Sequence, residues 1–91
     1  MSRPGLARPK LARHCRLSFD NTRQRPILLL PETVVVLNKT GAAILERCDG
    51  QHTVAEIEES LAGQFTTVPD GEVERFLAGM RERRYVVSVD D

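Results

Sequence analysis

The architecture is written most plainly in residues 25–61, RPILLLPETVVVLNKTGAAILERCDGQHTVAEIEESL. Ile27 to Leu30 and Val34 to Leu37 are unbroken apolar runs of strand length, rich in β-branched residues. Pro31-Glu32-Thr33 between them cannot continue a central strand and makes a short turn, so the two runs form a hairpin. Asn38 ends the second run. Its side chain accepts from the first free N–H groups of a helix, which predicts a helix from Lys39 to about Cys48. Asp49-Gly50 stops it. Thr53, with Glu56 three residues later, is a capping box opening a second helix from Val54 to about Gln64.

A hairpin with one face on a core alternates apolar and polar residues. This one is apolar on both faces: Val34 and Val36 point one way, Val35 and Leu37 the other. Short helices cover one face of a small sheet. The second face is expected to meet another subunit or a bound segment.

Working outward, His14 to Asp20 alternates mildly, with Cys15, Leu17 and Phe19 on one side, and reads as a first strand. Asp20-Asn21-Thr22 is a turn. Residues 1–13 are rich in Pro, Arg and Gly and lack periodicity, which predicts a flexible basic arm ahead of a domain over residues 14–91. Downstream, Val54, Ile57 and Leu61 form one apolar stripe on the second helix. Thr66 to Pro69 is a linker, and Asp70 is expected to cap a third helix over about Gly71 to Arg83. That helix opens with Glu72 and Glu74 and closes with basic residues, an order that suits its dipole. Val73, Phe76, Leu77 and Met80 form its stripe, and Tyr85 to Val89 is a last short strand with Tyr85, Val87 and Val89 on one face. Three strands, three helices and a final strand predict an α+β unit of winged helix-turn-helix type, with a three-stranded antiparallel sheet preceding the helices.

Ninety-one residues make one domain near the lower end of comfortable independent folding, too small for a deep substrate cavity. Formal net charge is zero, but Arg3, Arg8, Lys10 and Arg13 make the first thirteen residues purely basic. The rest carries nine basic against thirteen acidic side chains, a net of minus four. An acidic domain is a poor match to duplex DNA, whose affinity comes largely from phosphate neutralisation. There are two cysteines, no apolar h-region of a signal peptide and no apolar run of membrane-spanning length, so buried free thiols and a cytoplasmic location are expected.

Cys48 and His52 are four residues apart, but the pair straddles Asp49-Gly50 and does not lie on one helix face. With His14-Cys15 they do not match finger or ribbon spacings, so neither a metal nor another cofactor is expected. No third orienting residue accompanies them as a nucleophile pair, and no catalytic residue is assigned. Glu56, Glu58 and Glu59 read as a solvated helix face. Gly41 is too isolated to be a phosphate loop, and Gly79 costs the third helix about 1 kcal/mol relative to Ala. Arg81-Glu82-Arg83-Arg84 is best read as complementing a helix C-terminus.

Several of these residues together resemble a known family. They are Arg13 with Phe19, the LLLPE segment at Leu28 to Glu32, Leu37-Asn38 followed by Thr40-Gly41, Ile44-Leu45, and Asp49-Gly50 before Thr53-Val54. Over roughly residues 6–89 the chain resembles coenzyme PQQ synthesis protein D, PqqD. The resemblance implies a non-enzymatic recognition element of ribosomal peptide maturation. Such proteins bind the precursor peptide PqqA and present it to the radical S-adenosylmethionine enzyme PqqE, which cross-links a Glu and a Tyr of the peptide. It also implies that the peptide adds as a strand beside the third strand, here Thr33 to Leu37, in the cleft with the third helix. Expected contacts are then Val34, Val35, Val36 and Leu37 on the strand and Phe76, Leu77 and Met80 on the helix, flanked by Arg75 and Arg81. Which of the valines turns its N–H outward is open from sequence. A DNA-binding winged helix is the competing function, and an acidic second helix without Lys or Arg speaks against it. An exposed strand edge also allows a homodimer.

Overall fold

A computed structural model of the chain describes residues 8–64 and 71–89. Strands β2 (Arg16–Asp20), β3 (Arg25–Leu29) and β4 (Val34–Val36) form an antiparallel sheet in that order. Helices α1 (Lys39–Glu46), α2 (Val54–Ala62) and α3 (Glu72–Glu82) follow. A second sheet pairs β1 (Arg8–Leu11) with β5 (Val86–Val89). The expected winged-helix arrangement of three strands, three helices and a C-terminal strand is present.

Local chemistry sets the element ends. Asp20 Oδ1 accepts from the N–H groups of Thr22 and Arg23 and folds the β2–β3 turn. Asn38 Oδ1 accepts from Gly41 N at 2.6 Å at the start of α1. The capping box on α2 is complete: Glu56 N donates to Thr53 Oγ1 and Thr53 N donates to Glu56 Oε1. Gly50, at φ 80°, turns the chain after α1 in a conformation that costs other residues. The N-cap of α3 is Gly71, also left-handed and without a side-chain cap bond; Asp70 and the Thr66–Pro69 linker lie outside the described residues.

The helices cover one face of the three-stranded sheet. Leu28 and Leu37 are buried with Ile44, Leu45, Ile57, Leu61, Val73 and Leu77, and Leu17 and Val35 pack against this cluster. Phe19, next to the turn, is half exposed. Arg47 ties α1 to α2: its guanidinium donates to Ala43 O, Ser60 Oγ and Gln64 Oε1, all within 2.8 Å. In β5 the residue facing the core is Val86, not the alternate set, and Val87 and Val89 are exposed.

Within the segment expected as a flexible basic arm, Arg8–Leu11 departs from that expectation. It is a strand, held on both sides. Along one edge Arg8 to Leu11 pair with Val89 to Val86, and Ala12 N donates to Tyr85 O. Along the other, Leu11 N donates to Cys48 O and Gly50 N donates to Pro9 O. Backbone partners from two distant segments make this strand, so no local period announces it. Residues 1–7 lie outside the described residues. No helix among the described residues is long and apolar enough to cross a membrane.

Gly79 sits in α3, and beyond its chain neighbours and the adjacent helix backbone no described atom lies within 4 Å of where a Cβ would be. Gly79→Ala is therefore expected to raise the unfolding free energy by about 0.5–1 kcal/mol, read from urea denaturation. A loss of stability would mean that something in the folded chain approaches this backbone closely.

Candidate functional site

Among the described residues β4 is an edge strand, and its hydrogen-bond parity follows from its register with β3. Ile27, Leu28 and Leu29 lie opposite Val36, Val35 and Val34. Leu30 N donates to Thr33 O at 3.0 Å, and Leu37 N donates to Pro26 O at 2.9 Å. Both bonds lie two residues from the Leu28–Val35 pair. In an antiparallel ladder bonded pairs alternate with non-bonded ones. Val35 therefore turns its N–H and C=O toward β3, and Val34 and Val36 turn theirs to the open edge. Pro26, which lacks an N–H, faces β4 only at the ladder's end, where the loss is one bond.

Side chains alternate in step. Val35 is half-buried against the core, and Leu37 is buried in it. Val34 and Val36 are 42% and 44% exposed on the face away from the helices.

Helix α3 approaches the turn that follows this strand through Phe76. The Phe76 ring packs against Gly41, just past β4: a Cβ added at Gly41 would lie 3.0 Å from Phe76 Cε1 and 3.0 Å from Asn38 Oδ1. Gly41, too isolated in sequence to be a phosphate loop, has a packing role instead, because the space its missing side chain leaves is filled from a helix 35 residues away. Gly41→Ala is expected to push against both the ring and the Asn38 cap and to cost about 1–3 kcal/mol in thermal or urea unfolding. An unchanged midpoint would show that the ring moves aside freely.

The expected site residues separate into two groups. Val34, Val36, Arg75 and Arg81 are exposed, and Val35 and Phe76 are half-buried. Leu37, Leu77 and Met80 belong to the core. Arg75 lies 3.6 Å from Glu72, one position before Phe76 on α3 and turned away from the buried stripe. Arg81, five residues beyond Phe76 at 3.6 residues per turn, falls on the opposite flank of the buried stripe, in a shallow depression with Ala78 and Glu82.

The cysteines do not converge with the histidines into a chemical centre. Both are free and buried. Burial, with the neighbouring Asp49 charge adding, pushes the Cys48 thiol up to about 12, and its Sγ donates to Ile44 O. His52 Nδ1 lies 3.0 Å from Asp49 Oδ1. The Asp49 carboxyl is held below its usual range chiefly by the N–H of Gln51, with His52 contributing. Among the described residues no group of three or more His, Cys, Asp and Glu is placed to hold a metal ion.

Comparison with known proteins gives this edge its context. The family model of coenzyme PQQ synthesis protein D (PqqD) matches residues 26–86, which include the whole β3–β4 hairpin's open strand and all three helices. A PqqA binding protein of Rhodopseudomonas palustris (strain TIE-1) is 47% identical over 60 residues, covering 66% of this chain and 59% of the relative. The bifunctional coenzyme PQQ synthesis protein C/D of Methylorubrum extorquens is 33% identical over 79 residues, 84% of this chain and 21% of that protein. This chain thus spans about six-tenths of the length of the PqqA binding proteins from R. palustris that it matches. Among solved structures, the PqqD part of Methylobacterium extorquens PqqCD superposes with a TM-score of 0.69 at 32% identity over 87% of each chain. That protein is described as a functional, stand-alone recognition element for ribosomally synthesised and post-translationally modified peptides. The heterocyclase TruD, at 22% identity and a TM-score of 0.67, shares the fold over 12% of its own length. On the extent of the family match and the identity to its members, the chain belongs to the PqqD family.

Proposed function

We propose that this protein is a peptide chaperone of pyrroloquinoline quinone biosynthesis, which binds the precursor peptide PqqA by strand addition and presents it to the radical S-adenosylmethionine enzyme PqqE. The observation that carries this reading is the open β4 edge, with outward backbone groups at Val34 and Val36, followed by a turn that Phe76 of α3 approaches. Ladder bonds to those two residues supply affinity, and side-chain contacts supply specificity. Val35 and Phe76 face the peptide's inner side chains, supported by Leu37, Leu77 and Met80. Arg75, one position before Phe76, is the cation for an acidic residue. The relatives named PqqA binding proteins and the recognition element of known structure support the choice of ligand. Catalysis stays with the partner enzyme, and this chain acts in the cytoplasm, where its two free thiols remain reduced.

The test is a titration of isotope-labelled protein with PqqA, with and without PqqE. Amide shifts are expected to concentrate on residues 33–38 and around Phe76, with further changes when PqqE is added. Shifts confined to α2 and residues 8–13, with Val34 to Leu37 silent, would defeat strand addition. Without peptide, the same edge is expected to pair two copies of the chain, and saturating PqqA lowers the dimer fraction in sedimentation by mass action. A dimer indifferent to peptide would put its interface elsewhere.

A further inference from the structure

Resting on the strand-addition reading, we infer that the bound strand is recognised on both of its faces, and that the outer face of the sheet takes apolar side chains from alternate ligand residues. Two rows of side chains cross that face. One is Arg16, Leu29 and Val34; the other is Ser18, Ile27 and Val36. Residues directly opposite in a sheet share a face. Ligand residues level with Val34 and Val36 therefore project outward beside them, in either strand direction. Only the residue between these two projects inward, toward Val35 and Phe76.

Ile27 supplies the second observation. It lies on the outer face and takes no part in the helix-packed core, yet it is only 7% exposed. In its row Ile27 has a neighbour on each side, Ser18 on one strand and Val36 on the other. Val34 and Val36, at 42% and 44% exposed, have strand neighbours on one side only among the described residues. A fourth strand carrying apolar residues two apart would close the other side of both rows. The ligand segment is then a continuous apolar run, not an alternating one, since its inner residue meets Val35 and Phe76. A polar residue at either outer position would leave a valine partly in water and weaken binding.

Val34→Thr and Val36→Thr probe this directly, because threonine keeps the backbone bonds and the strand preference and replaces one methyl by a hydroxyl. PqqA titrations of the double variant are expected to show about tenfold weaker binding, with the thermal midpoint little changed. Replacing PqqA residues by Ser one at a time should find two positions, two residues apart, whose losses shrink in the double variant. Val36→Pro separates the two readings. If it abolishes binding while the threonine pair stays within twofold of the native protein, strand addition stands and outer-face recognition is wrong. If neither changes binding, strand addition itself has failed. If the threonine pair removes self-association in sedimentation and leaves PqqA affinity intact, the face belongs to a second copy of the chain, and the inference is overturned.

Discussion

Leu45→Ala and Ile57→Ala are each expected to lower the unfolding free energy by about 2–5 kcal/mol. Both residues are 1% exposed and lie in the cluster where α1 and α2 meet the sheet. Removing the outer carbons of either forfeits transfer free energy and leaves a cavity that surrounding side chains fill only in part. A domain of this size has roughly 5–15 kcal/mol to lose, so either variant is expected to be partly unfolded at physiological temperature. Urea denaturation checks this through a lower midpoint at unchanged slope. Val34→Ala, on the exposed outer face, is the control and is expected to stay within about 0.5 kcal/mol of the native protein. A loss below about 1 kcal/mol for both core variants would mean that the helix faces are packed differently.

Val36→Pro is expected to weaken PqqA binding by about tenfold or more while the domain remains folded. Its N–H faces the open edge, so proline removes a donor that no described group of this chain uses, and its ring stands where the added strand approaches. One hydrogen bond is worth about 1 kcal/mol net, and the ligand carbonyl left without a partner raises the cost. Val34→Pro behaves alike for the same parity. Val35→Pro is the contrast, because Val35 bonds to Leu28 within the sheet; proline there breaks the native ladder and lowers stability before any ligand is added. Titration calorimetry alongside thermal unfolding separates the two outcomes. Val36→Pro binding as tightly as the native protein would remove the edge from the site.

Much of the fold was legible because its signals are local. Asn38 needs only Gly41 three residues on, and Thr53 needs only Glu56. Pro31 and Gly50 punctuate the chain through their own backbone preferences, and the stripes on α2 and α3 follow from helical spacing. The two-faced apolar character of the β3–β4 hairpin was equally visible, and Val34 and Val36 are exposed on the face away from the helices. Tertiary structure decided what depends on distant partners. Arg8 to Leu11 is a strand because Val86 to Val89 and the Cys48–Gly50 turn bond to its two edges, and a Pro- and Lys-containing segment has no period of its own to show that. The burial of Val86 in place of Val87 follows from the same pairing. Gly41 acquires its role only when Phe76 folds onto it. Which valines turn their N–H groups to the open edge rests on a single unit of register between β3 and β4, and a slip of one residue would reverse it.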